Sequence, residues 1–223
     1  MTTTRLLRWR TILVVGGLAT LAGGLLHPGA DASGTLREEL STMTAASTWV
    51  PSHTLIVLGT TLLTIGLWVA YRDHAWPAAI QRSLGVTAAA MSAYVVETVF
   101  HLASVVDSAA LASGAPAPVA WTHVGLALVL YPVSGLAFAW MGTRMVREHG
   151  NTFRLFGVVA VVAGLLHAVS VPLTVLLPDA ELTPVFATAG MLFATWSIGV
   201  GATGLRERGS TPTSLDPRPA GAR

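Results

Sequence analysis

The amino-acid sequence predicts an all-α integral membrane protein, and three observations lead to this fold class. Hydrophobic residues make up 52% of the 223 residues and charged residues only 11%, and the mean hydropathy is +0.63. This balance is far more apolar than that of an ordinary soluble domain. Six separate apolar segments are each long enough to cross a hydrocarbon core of about 30 Å as a helix. Helices are expected because an open sheet leaves backbone groups unsatisfied in lipid.

The apolar segments define one membrane domain, residues 1–208, followed by a tail, residues 209–223. The tail is rich in Pro, Ser and Thr without an apolar period, so we expect it to be disordered. The segments pair as three helical hairpins, and the similar strings AGGLLHPGA and AGLLHAVSVP suggest that the hairpins are repeats. The predicted spans lie near residues 11–29, 52–71, 83–106, 119–142, 155–177 and 184–205.

The distribution of arginine predicts the orientation of the chain, because all 13 basic residues are arginines. Arginines precede the first span and follow the second, fourth and sixth, whereas Arg37 alone lies on the opposite side. Under the positive-inside rule both termini are cytoplasmic, as in the inner membrane of a bacterial-type cell. The net charge of +2 therefore reflects topology, and we expect a lipid bilayer and no nucleic acid as partner.

The first span also resembles a secretory signal in its layout. The basic string RLLRWR precedes it, and the small residues Ala30 and Ala32 follow it at an A-x-A spacing. Cleavage there would remove the first helix together with His27, but the length of the apolar run and the five later spans favour a retained helix.

The loop at 30–50 is the longest connection within the predicted domain. It contains LREELSTM, which predicts a short surface helix able to cover what lies beneath it. Tryptophans near the ends of spans are predicted to anchor the protein at the membrane interface; they are Trp49, Trp68, Trp76, Trp121 and Trp140.

Histidines and one carboxylate form the most unusual pattern in these apolar segments. With a rise of about 1.5 Å per residue, five of the seven histidines fall in the outer half of the membrane. Glu97 is the one acidic residue within a span, and it lies deeper than His101 and His123, as does His167, at about 15–16 Å below the outer ends of their spans. The five histidines are His27, His53, His101, His123 and His167.

Helical phase places these groups on shared faces. Tyr94, Glu97, His101 and Ser104 recur at intervals of three and four, so they form one polar stripe on the third span. A charged side chain in mid-membrane costs about 2.5–3.5 kcal/mol or more, so the stripe is expected to face the interior of the bundle. His167 begins a similar stripe on the fifth span.

Such a cluster predicts a bound cofactor. Absence of cysteine excludes thiolate ligands and covalent haem, and absence of lysine excludes a retinal Schiff base. Imidazoles from two helices can ligate haem b axially, whereas several imidazoles beside a carboxylate suit a non-haem iron, copper, manganese or zinc ion. We expect His101 and His123 to be the principal ligands, supported by His53, His167 and His27, with Glu97 as a ligand or as a proton-transfer group.

Three functions remain open from the sequence. The first is electron transfer or oxidation of a lipophilic substrate at a haem or metal centre, in contact with a redox partner in the membrane. The second is a metal-free, proton-coupled transporter that uses Glu97 and His101. The third is a non-catalytic assembly subunit whose polar stripes bind a partner helix.

Overall fold

The computed structural model describes residues 3–29, 34–148, 150–177, 180 and 182–204. Within these residues the chain is all-helical, as predicted. The predicted tail and the A-x-A sequence at 30–32 lie outside the described residues. The helices are α1 (Thr3–Leu26), α2 (Leu36–Ala45), α3 (Trp49–Arg72), α4 (Ala78–Ala103), α5 (Ser108–Ser113), α6 (Pro118–Arg147), α7 (Asn151–Leu176) and α8 (Thr183–Thr203), with a 3₁₀ turn, Ser104–Asp107, between α4 and α5.

Six of these helices are long and apolar enough to cross a membrane, which confirms the six predicted spans. Their outward-facing sides carry exposed aliphatic residues such as Val129, Leu136 and Leu155. This arrangement is compatible with a multi-pass membrane protein. The side on which the termini lie and the repeat of three hairpins stay predictions.

The long helices form a closed ring. Each packs against the long helix that precedes and follows it in the chain, and α8 returns to pack against α1. The order around the ring is therefore α1, α3, α4, α6, α7 and α8. Consecutive long helices run antiparallel, so the end of α1, the start of α3, the end of α4 and the start of α6 meet at one end of the bundle.

Glycines allow neighbouring helices in this ring to approach closely. A Cβ added at Gly135 or Gly142 of α6 would overlap the backbone of α7, and one added at Gly164 or Gly157 would overlap α6. Gly201, within the sequence GVGATG, packs against the backbone of Arg10 in α1. Close contact between small residues is how membrane helices gain packing energy without a hydrophobic effect between them.

The two ends of the bundle differ in chemistry. The end near the chain termini holds an apolar core in which Trp76 makes edge contacts with Trp9 and Trp196 at 6.0 and 6.1 Å between ring centroids. Trp76 lies in the connection between α3 and α4 and is buried, so its prediction as an interfacial anchor is wrong because the connection folds that side chain into the core. The opposite end contains the predicted histidines.

The short helix α2 lies over that histidine end, as predicted from LREELSTM. It begins with a capping box, in which the Thr35 hydroxyl accepts from the backbone N–H of Glu38 at 3.4 Å and the Thr35 backbone N–H donates to the Glu38 carboxylate. The Glu38 carboxylate thus accepts two hydrogen bonds from Thr35, from its backbone N–H at 2.7 Å and from its hydroxyl at 2.8 Å. These two hydrogen bonds lower the pKa of Glu38 below its ordinary value. Leu40 packs against Leu111 of α5, and Arg37 donates to the carbonyl of Ala115 at 3.1 Å.

We expect Gly135→Val to lower the free energy of unfolding by about 2 kcal/mol, because the new side chain overlaps the α7 backbone. Gly125→Val is the matched control, since it lies on the same helix with open space at its Cβ. Thermal unfolding in detergent measures both variants. Equal melting temperatures for the two would contradict the close α6–α7 contact.

Candidate metal centre

The candidate site lies where four helix ends converge. His27 follows α1, His53 lies in the second turn of α3, His101 in the last turn of α4, and His123 near the start of α6. Glu97 is one turn before His101. The antiparallel ring brings these positions together although up to 96 residues (123 − 27) separate them in the sequence.

One group of side chains, the imidazole group, consists of His27, His53 and His101. Their candidate ligand atoms all lie within 4.8 Å of one another. The ring of His53 lies between the other two, with its centroid 4.8 Å from that of His27 and 4.4 Å from that of His101. His27 is exposed, His101 half-buried and His53 buried, so the group extends inward from the surface of the bundle.

Hydrogen bonds to backbone carbonyls orient two of these imidazoles. Nδ1 of His53 donates to the carbonyl of Trp49 at 2.8 Å, and Nδ1 of His27 donates to the carbonyl of Pro28 at 2.8 Å. A carbonyl can only accept, so each neutral ring carries its proton on Nδ1 and keeps a lone pair on Nε2. Nε2 of His53 is buried and has no hydrogen-bond partner among the described residues.

A second group, the carboxylate group, consists of Glu97, His101 and His123, again with ligand atoms within 4.8 Å of one another. Nδ1 of His123 approaches Oε1 of Glu97 to 2.7 Å, although without the alignment of a regular hydrogen bond. The rings of His101 and His123 are stacked, with centroids 4.0 Å apart and planes inclined by 15°. His101 is thus common to both groups.

Glu97 is the most deeply buried charge-bearing group at the site. Its side chain is 0% exposed, and neither carboxylate oxygen has a regular hydrogen bond from any described residue. A buried carboxylate without donors is costly by several kcal/mol, so it requires a proton or a cation. The nearest titratable partner is His123.

Trp49 belongs to the site, which the sequence did not indicate. It is 0% exposed, it stacks on His53 with ring centroids 3.8 Å apart, and its Nε1 donates to the carbonyl of Leu102 at 3.2 Å. Its prediction as an interfacial anchor is therefore wrong. The available signal was the spacing WVPSH, which places Trp49 and His53 on one helix face.

Asp107 fixes the start of α6 relative to the end of α4. Its Oδ2 accepts hydrogen bonds from the backbone N–H groups of Val119 and Ala120 at 2.7 and 3.0 Å. These are unpaired donors at the start of a helix, and a carboxylate there also interacts favourably with the helix dipole. Asp107 thereby holds His123 of α6 beside His101 of α4.

His167 is in neither group. Its ring stacks on Tyr131 at 4.2 Å between centroids and meets the edge of Tyr94 at 4.8 Å, and its Nε2 is buried without a partner among the described residues. Its role as a ligand stays a prediction.

The predicted polar stripes do face the interior. Tyr94 and Glu97 are buried on α4, Ser104 is buried at the start of the 3₁₀ turn that follows it, and His167 and Ser170 are buried on α7. Helical phase in the sequence therefore indicated the correct side of each helix.

Comparisons with protein-family models, curated proteins and solved structures found no match for this chain. Function must therefore be argued from the arrangement of the side chains.

We expect Asp107→Ala to lower the free energy of unfolding by about 1–2 kcal/mol, because two helix-terminal N–H groups lose their acceptor. Asp107→Asn keeps one acceptor oxygen but loses the charge, so its effect should be smaller. Thermal unfolding in detergent ranks the stabilities of the wild type, Asp107→Asn and Asp107→Ala. If Asp107→Ala matched the wild type, Asp107 would not hold α6 in place.

Proposed function

We propose that the protein is an inner-membrane protein that binds a non-haem transition-metal ion with its His/Glu cluster, near the outer face of the membrane. Electron transfer, or oxidation of a lipophilic substrate, would take place there in contact with a redox partner in the membrane. The outer location follows from the arginine distribution of the sequence.

The main support for this proposal is the orientation of the His53 imidazole. Its Nδ1 proton is held by a backbone carbonyl, and its Nε2 lone pair is buried without a donor beside two further imidazoles. A carbonyl that fixes the protonated nitrogen of a metal ligand is a recurrent feature of metal sites. His27 has the same type of bond, so two ligands of one group are oriented in advance.

The ring geometry favours a non-haem ion over haem b at the pair His101 and His123. Axial haem ligands point their lone pairs at each other from opposite faces of the macrocycle. The rings of His101 and His123 are instead stacked with their centroids 4.0 Å apart, which leaves no gap for a porphyrin between them. Two imidazoles stacked in this way can occupy adjacent coordination positions on metal ions.

The donor types restrict the metal. Neutral imidazoles suit iron, copper and zinc, and a carboxylate beside two imidazoles suits iron(II) and also admits manganese. Metal–nitrogen bonds are about 2.0–2.1 Å, so side-chain shifts on the order of 1 Å would bring donors at the observed spacing onto one ion. His27 is exposed, so the ion exchanges with the aqueous phase at that end of the bundle.

The test is elemental analysis with an ultraviolet–visible spectrum on the detergent-purified protein, before and after reduction. We expect one or more transition-metal ions per chain without the intense Soret band of haem. His53→Ala should lower metal affinity at least 10-fold, because it removes the central ligand of the imidazole group.

His167→Ala is the matched control, because it removes an equally buried histidine from outside both groups. It should retain the metal. A protein that stays metal-free after reconstitution with iron, copper, manganese and zinc would contradict the proposal. A Soret band would show that the bound cofactor is haem and not a non-haem metal ion.

A proton-coupled transporter is the second candidate, and the buried contact between Glu97 and His123 favours it. A carboxyl and an imidazole 2.7 Å apart can exchange a proton within an apolar bundle. The sequence suggested His101 as the partner of Glu97, whereas the structure places His123 nearest to the carboxylate.

For a transporter we expect Glu97→Gln to abolish proton flux into proteoliposomes, because the amide cannot titrate. The signal of a pH-sensitive dye enclosed in the proteoliposomes measures this proton flux. Glu38→Gln, at an exposed carboxylate on α2, is the control. If wild-type proteoliposomes show no proton flux above empty vesicles, this second function is excluded.

A further inference from the structure

His101 belongs to both the imidazole group and the carboxylate group. We infer that the imidazole group and the carboxylate group each bind one transition-metal ion, and that the imidazole of His101 bridges the two ions. This inference rests on the proposed metal-binding function and extends it from one ion to a dinuclear centre.

The spacing of the donors supports two ions. Five residues contribute ligand atoms. The ligand atoms within each group lie within 4.8 Å of one another, and on this basis the five residues form two groups of three that share His101, and not one group of five. Two bonds of about 2.1 Å separate opposite donors on one ion by only about 4.2 Å. One ion therefore cannot collect all five donors without a rearrangement of the helix ends.

His101 is suited to be the bridge. An imidazole has two ring nitrogens on different edges, and each can bind a metal once its proton is lost. The His101 ring lies between the other members of both groups, with His53 tilted against it at 4.4 Å and His123 stacked on it at 4.0 Å.

The proton balance of the bridge is simple. When the first ion binds one nitrogen of neutral His101, the other nitrogen keeps its proton. Binding of the second ion breaks that N–H bond, forms a metal–nitrogen bond and releases one proton to water. The resulting imidazolate and the Glu97 carboxylate supply two negative charges, which offset part of the charge of the ions in the apolar surroundings.

The two positions differ in ligand chemistry. The imidazole group offers only nitrogen donors, which suits copper or zinc. The carboxylate group offers two imidazoles and one carboxylate, the combination that binds non-haem iron(II) with open coordination positions. A centre with unlike positions could pair an electron-transfer ion with an ion that binds substrate.

The experiment loads the full-length detergent-purified protein with Cu²⁺ as the probe for both positions. All variants are made in a chain carrying His74→Asn and His149→Asn, which removes histidines outside the predicted spans. Asn tolerates the positive φ of His74. Bound copper is counted after excess ion is removed, and electron paramagnetic resonance measures the signal per copper.

We expect two Cu²⁺ ions per chain, with a signal per copper reduced several-fold because the bridged ions couple magnetically. The pair His27→Ala and His53→Ala should leave one ion with a full signal. The pair Glu97→Gln and His123→Ala should also leave one ion with a full signal. His167→Ala should keep two coupled ions, which controls for loss of a buried histidine.

Other outcomes overturn the inference in distinguishable ways. One ion per chain that all four substitutions weaken would mean a mononuclear site, while metal binding itself would stand. Two ions with a full signal in the wild type would exclude the His101 bridge. Absence of stoichiometric copper in a wild-type protein that elutes as a single folded species would defeat the metal-binding proposal as well.

Discussion

Burial of the Glu97 carboxyl group is the constraint on which the rest of this end of the bundle depends. A group of this kind costs several kcal/mol in an apolar environment unless a proton or a cation accompanies it. The surrounding structure supplies imidazoles from three further chain segments, of which His123 is 2.7 Å away. The part of the chain that the structure describes does not supply the backbone or hydroxyl donors that would satisfy a purely structural carboxylate.

The fold was largely predictable from the sequence, because two physical limits act on a membrane helix separately from its neighbours. The thickness of the hydrocarbon core sets the length of each span, and the loss of water requires each backbone to pair within its own segment. The predicted spans therefore match the helices to within a few residues at most ends, and depth alone placed His27, His53, His101 and His123 at one end.

The contacts within the site were less predictable, because they depend on the rotation of each helix and on the order of the ring. Periodicity showed that Glu97 and His101 face inward, but it could not show that His123 lies closest to Glu97. Trp49 appeared to be an anchor because its position near a span end is the same for a buried and an interfacial ring. His167 was placed deeper than His101 and His123, and its helix α7 neighbours α6 and α8, so the His167 imidazole meets Tyr94 and Tyr131 instead.

The difference between the two ends of the bundle bears on the choice between a bound centre and a transporter. At the histidine end, His27 is exposed, so the site is open at the surface of the bundle. At the other end, Trp9, Trp76 and Trp196 fill the core together with Leu67 and Met141, and all five are buried. A transporter must open its site to both sides in turn, and these packed rings would have to separate for that. A resident metal centre needs only the open end, so the architecture agrees better with a retained ion than with a moving one.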